Sequence, residues 1–95
     1  MLKPSMRDKK RYIAVENIKE EALLKEYQKW YGLKESSLLN LKKIDAFSNI
    51  TIYRINHLYV EKIRSICALL NKRIYRVSGT LKSLKIKLRE EGYVD

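Results

Sequence analysis

The chain has 95 residues, with 21 Lys or Arg against 11 Asp or Glu and a formal net charge of +10 at neutral pH. This length holds one hydrophobic core and excludes a second domain. The longest unbroken apolar run, residues 66–70, is far short of the roughly 20 residues a membrane-spanning helix needs, and the single cysteine, Cys67, excludes an internal disulfide.

The basic excess attracts polyanions over long range. Nucleic acid is the expected partner, ahead of an anionic membrane surface, because no segment reads as a free basic amphipathic helix. The N-terminal residues carry positive charge with no apolar stretch behind it, so they do not read as a signal peptide. The expectation is a cytoplasmic protein.

Residues 1–11 read as a basic arm. Pro4 disfavours helix before it, and Arg7, Lys9, Lys10 and Arg11 form a cluster interrupted only by Asp8. Residues 12–18 predict a strand, with Tyr12, Ala14 and Glu16 on one face and Ile13 and Val15 on the other. Residues 19–31 predict a helix, with Leu23, Tyr27, Trp30 and Tyr31 at helical spacing, Trp30 in the core, and Gly32 as the C-cap. Residues 38–47 predict a second strand and residues 50–55 a third, joined through the Asp, Ser and Asn of residues 45–49 as a hairpin.

Asn56 caps a second helix, in which Tyr59, Ile63, Ile66 and Leu70 keep register and Cys67 joins the core; His57 lies at its start. Residues 73–77 predict the last strand. Ser78 or Thr80 then caps a final helix, with Gly79 turning the backbone between the two elements. In that helix Leu81, Leu84 and Leu88 share one face, and Lys82, Lys85 and Arg89 line an adjacent stripe. Residues 12–92 thus form a single domain, followed by a short tail, residues 93–95.

This order predicts an α+β fold: a ferredoxin-like or RRM-like βαββαβ sandwich with a four-stranded antiparallel sheet and an extra C-terminal helix. Two helices cover one sheet face, and the extra helix covers part of the other. Tyr12, Tyr53 and Tyr75 are candidates for an open sheet face. The first and third strands lack the RNP consensus, however, so recognition of phosphates outweighs base stacking.

No nucleophile with a base, no paired carboxylates, no metal-ligand spacing and no phosphate-binding glycine loop stand out. The chain therefore reads as non-catalytic by itself, with no catalytic residue and no cofactor or metal of its own. The candidate RNA contacts are Arg7, Lys9, Lys10, Arg11, Arg73, Arg76, Lys82, Lys85 and Arg89. Ser78, Gly79 and Thr80 would present a helix N-terminus to a phosphate.

Three segments carry a family resemblance. Arg7-Asp8-Lys9-Lys10-Arg11-Tyr12-Ile13-Ala14 resembles the opening R-[DE]-K-x-R-Y-[IL] of the small RRM-like protein subunit of archaeal and eukaryotic ribonuclease P, protein component 2. Tyr59-Val60-Glu61 before an apolar helix resembles that family's middle segment. Val77-Ser78-Gly79-Thr80-Leu81-Lys82 resembles its V-S-G-T-[IL]-[KR] signature. The resemblance, archaeal in type, implies a subunit that binds and stabilises the catalytic RNA for removal of the 5′ leader from precursor tRNA. It implies a barrel-fold protein subunit as partner, in a heterodimer or a dimer of heterodimers, and Mg²⁺ used by the RNA. A generic RNA-binding or ribosome-associated module is the alternative.

Overall fold

Alternation of β-branched and aromatic residues drives the strands other than the second, and all but the second form close to where their pattern lies. In the computed structural model, which describes residues 9–47 and 49–93, the strands are β1 (Lys10–Glu16), β2 (Lys42–Ala46), β3 (Ile50–Asn56) and β4 (Ile74–Ser78). They form one sheet in the order β2-β3-β1-β4, and every neighbouring pair is antiparallel. The helices are α1 (Glu20–Leu39), α2 (Val60–Leu69) and α3 (Leu81–Glu90). A four-stranded antiparallel sheet with three helices is an α+β architecture compatible with a ferredoxin-like fold.

The sheet separates two apolar clusters, one on each face, where the length led to the expectation of a single core. On one, Ile13 and Val15 of β1 and Tyr53 and Ile55 of β3 pack with Leu23, Tyr27 and Leu39 of α1 and Ile63, Ile66 and Cys67 of α2. On the other, Ala14, Ile50 and Ile52 pack with Leu84 and Leu88 of α3. The expected helix spacing of Leu84 and Leu88 is thus used to close the second face.

Two bulges refine this division. In β2 the register jumps between Lys43 and Asp45, which turns both Ile44 and Asp45 toward α3: Ile44 joins its core and Asp45 meets Lys85. In β4 the partners of Ala14 and Val15 are Arg76 and Ile74, so Tyr75 is the extra residue. Tyr75 joins the α3 core, and Arg76 reaches Glu91 beyond the end of α3. A bulge is the device that lets two successive residues serve one face.

Two expectations are corrected and one is extended. The first helical segment stops at Gly32 as expected, but α1 does not end with it. The backbone breaks there (φ 91°, ψ 169°), and helix resumes to Leu39, with Asn40 as a left-handed C-cap. Burial of Ser36 and Leu39 favours the continuation, and the Ser36 hydroxyl donates to the Leu33 carbonyl at 2.8 Å. The second strand accordingly begins at Lys42, since Leu38 and Leu39 belong to helix. Trp30 is 56 % exposed; its Nε1 donates to Glu26 one turn earlier. Leu23, Tyr27 and Tyr31 cover the sheet side of α1 without it.

Candidate nucleic-acid interface

The first and last basic segments meet because β1 and β4 are neighbours. Tyr12 pairs with Ser78, and the next residues outward along the two strands are Arg11 and Gly79. A Cβ placed on Gly79 would lie 3.6 Å from Arg11 Nη1, and the same guanidinium donates to the Lys10 carbonyl at 3.2 Å.

From Gly79 the chain enters α3 through Thr80. Thr80 has extended backbone, and its Oγ1 accepts from the Ser83 amide at 3.2 Å. Ser78 takes a different role, its Oγ accepting from the Thr80 amide at 3.4 Å. Thr80 is therefore the cap, and it answers one of the amides that a helix start leaves without an intrahelical partner. Gly79 does not have a positive φ, so its place does not depend on left-handed backbone. What it provides is a surface with no side chain beside Arg11.

Six of the expected residues thus gather at one end of the sheet: Lys10, Arg11, Ser78, Gly79, Thr80 and Lys82. Lys9 precedes β1, its carbonyl accepting from the His57 amide at 2.9 Å. The structure does not bring the remaining basic residues to the same place. Arg73 lies at the opposite end, before β4, with its guanidinium 4.8 Å from the Tyr75 ring centroid and donating to the Tyr93 hydroxyl. Arg76 is engaged by Glu91. Lys85 lies 3.1 Å from Asp45, and that hydrogen bond holds the Asp45 carboxyl below its ordinary range. Arg89 is exposed in the last turn of α3, and Arg7 lies outside the described residues.

The open tyrosine face does not exist. Tyr53 faces α1 and α2, is fully buried, and donates its hydroxyl to the Ile18 carbonyl. Tyr12 and Tyr75 lie half-buried against the α3 core, and Tyr75 meets Tyr93 with ring centroids 4.8 Å apart. Tyr12 and Tyr53 could not have shared a face. Tyr12 is paired with Arg54, whereas Tyr53 is paired with Ile13, and directly opposed residues lie on the same side of a sheet.

Two cations escaped sequence reasoning. Lys42 of β2 and Arg54 of β3 are directly opposed, on the sheet face that α3 partly covers. Their signal is present in the alternation, since Ile50 and Ile52 predict an inward apolar residue at 54 and the chain supplies arginine. Cys67 is buried as expected, and burial pushes its thiol up to about 11. Among the described residues no three His, Cys, Asp or Glu are placed to hold a metal ion, and no helix is long and apolar enough to cross a membrane. No protein-family model matches this chain, and no curated protein matches it.

Proposed function

We propose that the chain is a non-catalytic RNA-binding subunit of a ribonucleoprotein, of the kind represented by the small protein subunit of archaeal ribonuclease P. Its frame is read as the ferredoxin-like, RRM-like βαββαβ sandwich with an added C-terminal helix. One observation carries the reading: Arg11 stands beside Gly79, so the two motif segments that resemble that family form one basic surface. A side-chain-free Gly79 and the start of a capped helix lie within that surface, which suits close approach of a phosphate backbone.

The chemistry is electrostatic. Lys9, Lys10, Arg11 and Lys82 offset phosphate repulsion where RNA strands crowd together, and so favour the folded RNA. Mg²⁺ and bond cleavage belong to the RNA, and the 5′ leader of precursor tRNA is its substrate. The barrel-fold protein subunit would dock on the outer surfaces of α1 and α2, which carry exposed Trp30, Leu33 and Leu69.

Reconstitution tests the proposal. Adding the chain and its barrel-fold partner to ribonuclease P RNA should raise leader cleavage at moderate Mg²⁺. RNA binding without any stimulation would instead identify a generic RNA-binding or ribosome-associated module. Cleavage of precursor tRNA by the chain alone, without the RNA subunit, would overturn both readings.

The basic surface makes a second expectation. Removing one cation that neutralises a phosphate should flatten the dependence of log affinity on log salt by about 0.7 for a single strand. Replacing Lys10, Arg11 and Lys82 together by Ala should therefore reduce the slope by about 2, with the far-ultraviolet circular dichroism unchanged. An unchanged slope removes these residues from the interface.

A further inference from the structure

Strand register sets four residues in a line straight across the sheet: Lys42 of β2 opposes Arg54 of β3, Arg54 opposes Tyr12 of β1, and Tyr12 opposes Ser78 of β4. All four belong to the α3 side, because Tyr12 packs against the α3 core and directly opposed residues share a face. Along β3 and β1, the Ile52–Ala14 pair on one side of this line is buried with α3. On its other side Asn56 opposes Lys10. The row is the boundary where the apolar seat of α3 gives way to a polar, basic half-face.

Two features of the row work against the fold by themselves. Lys42 and Arg54 are like charges directly opposed, an arrangement that destabilises a strand pair. Among the described residues no carboxylate pairs with either of them. Arg54 Nε is shielded from solvent and has no hydrogen-bond partner. A shielded guanidinium donor without an acceptor is unfavourable and uncommon. One class of ligand resolves both problems together: an oxyanion that lies between the two cations and accepts from the arginine fork. Tyr12 and Ser78, each bearing a hydroxyl, complete the line, and Ser78 joins it to the cluster around Gly79 and Thr80.

We propose that Lys42, Arg54, Tyr12 and Ser78 form a phosphate-binding row, over which a nucleic-acid strand runs across the sheet from β4 to β2. The nucleic-acid occupant rests on the RNA-binding reading above; the phosphate chemistry rests on the row alone. At the usual strand spacing the row is about 14 Å long, enough for more than one successive phosphate. The RNA path therefore leaves the Arg11–Gly79 corner across the sheet, and does not follow α3 toward Arg89.

Arg54→Met and Lys42→Met test this against Lys29→Met, which removes an equal charge from the exposed surface of α1. In chloride, Arg54→Met should melt higher than the wild-type chain, because an opposed and unsatisfied charge is gone. At matched ionic strength, sodium phosphate should raise the melting temperature of the wild-type and Lys29→Met chains, and not that of Arg54→Met. A single-stranded RNA oligonucleotide should bind Arg54→Met about tenfold or more weakly, with a salt slope lower by about 0.7; Lys42→Met should lower the slope likewise.

A lower melting temperature for Arg54→Met in chloride would make Arg54 a structural residue and overturn the proposal. So would RNA affinity and slope in Arg54→Met equal to those of Lys29→Met. If the wild-type chain binds no RNA, the RNA-binding reading fails, and the phosphate melting shift alone decides the row: its presence marks a free-phosphate site, its absence ends the proposal.

Discussion

Two buried tyrosines show how much a single hydroxyl depends on its partner. Tyr27 and Tyr53 are both fully buried, but Tyr53 donates to the Ile18 carbonyl whereas the Tyr27 hydroxyl has no hydrogen-bond partner. Removing a satisfied hydroxyl costs about 1 kcal/mol, and removing an orphaned one relieves a desolvation penalty. Tyr53→Phe should therefore lower unfolding stability by about 1 kcal/mol, whereas Tyr27→Phe should leave it unchanged or raise it. Chemical denaturation of both variants distinguishes them.

The same residues set the alkaline limit. Burial pushes Tyr53 up to about 12 and raises Tyr27 as well. In an unfolded chain tyrosine ionises near 10. A group whose folded pKa is raised stabilises the fold fully below the unfolded value, and that contribution is lost as pH rises through the folded value. Stability should thus fall between about pH 10 and 12, and less steeply in Tyr53→Phe. Asp45 runs in the opposite sense. Its carboxyl is held low, chiefly by Lys85, so its contribution is present above about pH 4 and lost as pH falls below that. Both partners are substantially exposed, and solvent screening keeps the effect small.

Among the elements, α3 is the most fully specified by local chemistry. Thr80 caps its start. Its end is closed by a paired turn in which the Gly92 amide donates to the Arg89 carbonyl and the Tyr93 amide to the Leu88 carbonyl. Gly92 sits at φ 80°, and Tyr93 packs with Leu88 in the same core, which is the hydrophobic contact that accompanies such a stop. Helix α2 ends the same way with Asn71 at φ 59°.

Substitutions in this region should sort by backbone geometry. Thr80→Ala should cost about 1 kcal/mol through loss of the cap. Gly92→Ala should cost about 1–2 kcal/mol, because an L-residue is strained at that φ. Gly79→Ala, without that strain, should be neutral or stabilising by up to about 1 kcal/mol. Urea unfolding of the three variants gives the order. Reduced RNA affinity in folded Gly79→Ala would then report on the open surface beside Arg11 and leave folding out of the comparison.

At the scale of the whole molecule, a net charge of +10 is divided between spent and available cations. Arg76, Lys85 and Lys62 are joined to Glu91, Asp45 and Glu35 and tie elements to one another. Lys62 gives α2 a hold on α1 and lies 5.1 Å from the Tyr31 ring centroid. Lys10 and Arg11 of β1 and Lys82 of α3, together with the Lys42–Arg54 pair, have no carboxylate among the described residues. Self-repulsion there is relieved by a polyanion and, more weakly, by screening salt.

Local order is legible along the chain because its causes are local. Alternation in β1 and β3, the Leu84–Leu88 spacing and the Thr80 cap each involve residues a few positions apart, and so these two strands, the division of their faces and the capped last helix follow from sequence. The two basic segments are likewise visible as runs of side chains. Their meeting is different, because it requires β1 and β4 to be neighbours with Tyr12 opposite Ser78.

The other features beyond sequence have the same origin. The resumption of helix after Gly32, the exposure of Trp30 and the loss of an open tyrosine face depend on which surfaces helices cover once the sheet exists. The Lys42–Arg54–Tyr12–Ser78 row depends on register and on a bulge in β2, where a shift of one residue would send each side chain to the other face. Sequence by itself determined the chemistry this protein carries. Only long-range strand pairing decided which of its cations stand together, because register is a property of two strands and is written in neither alone.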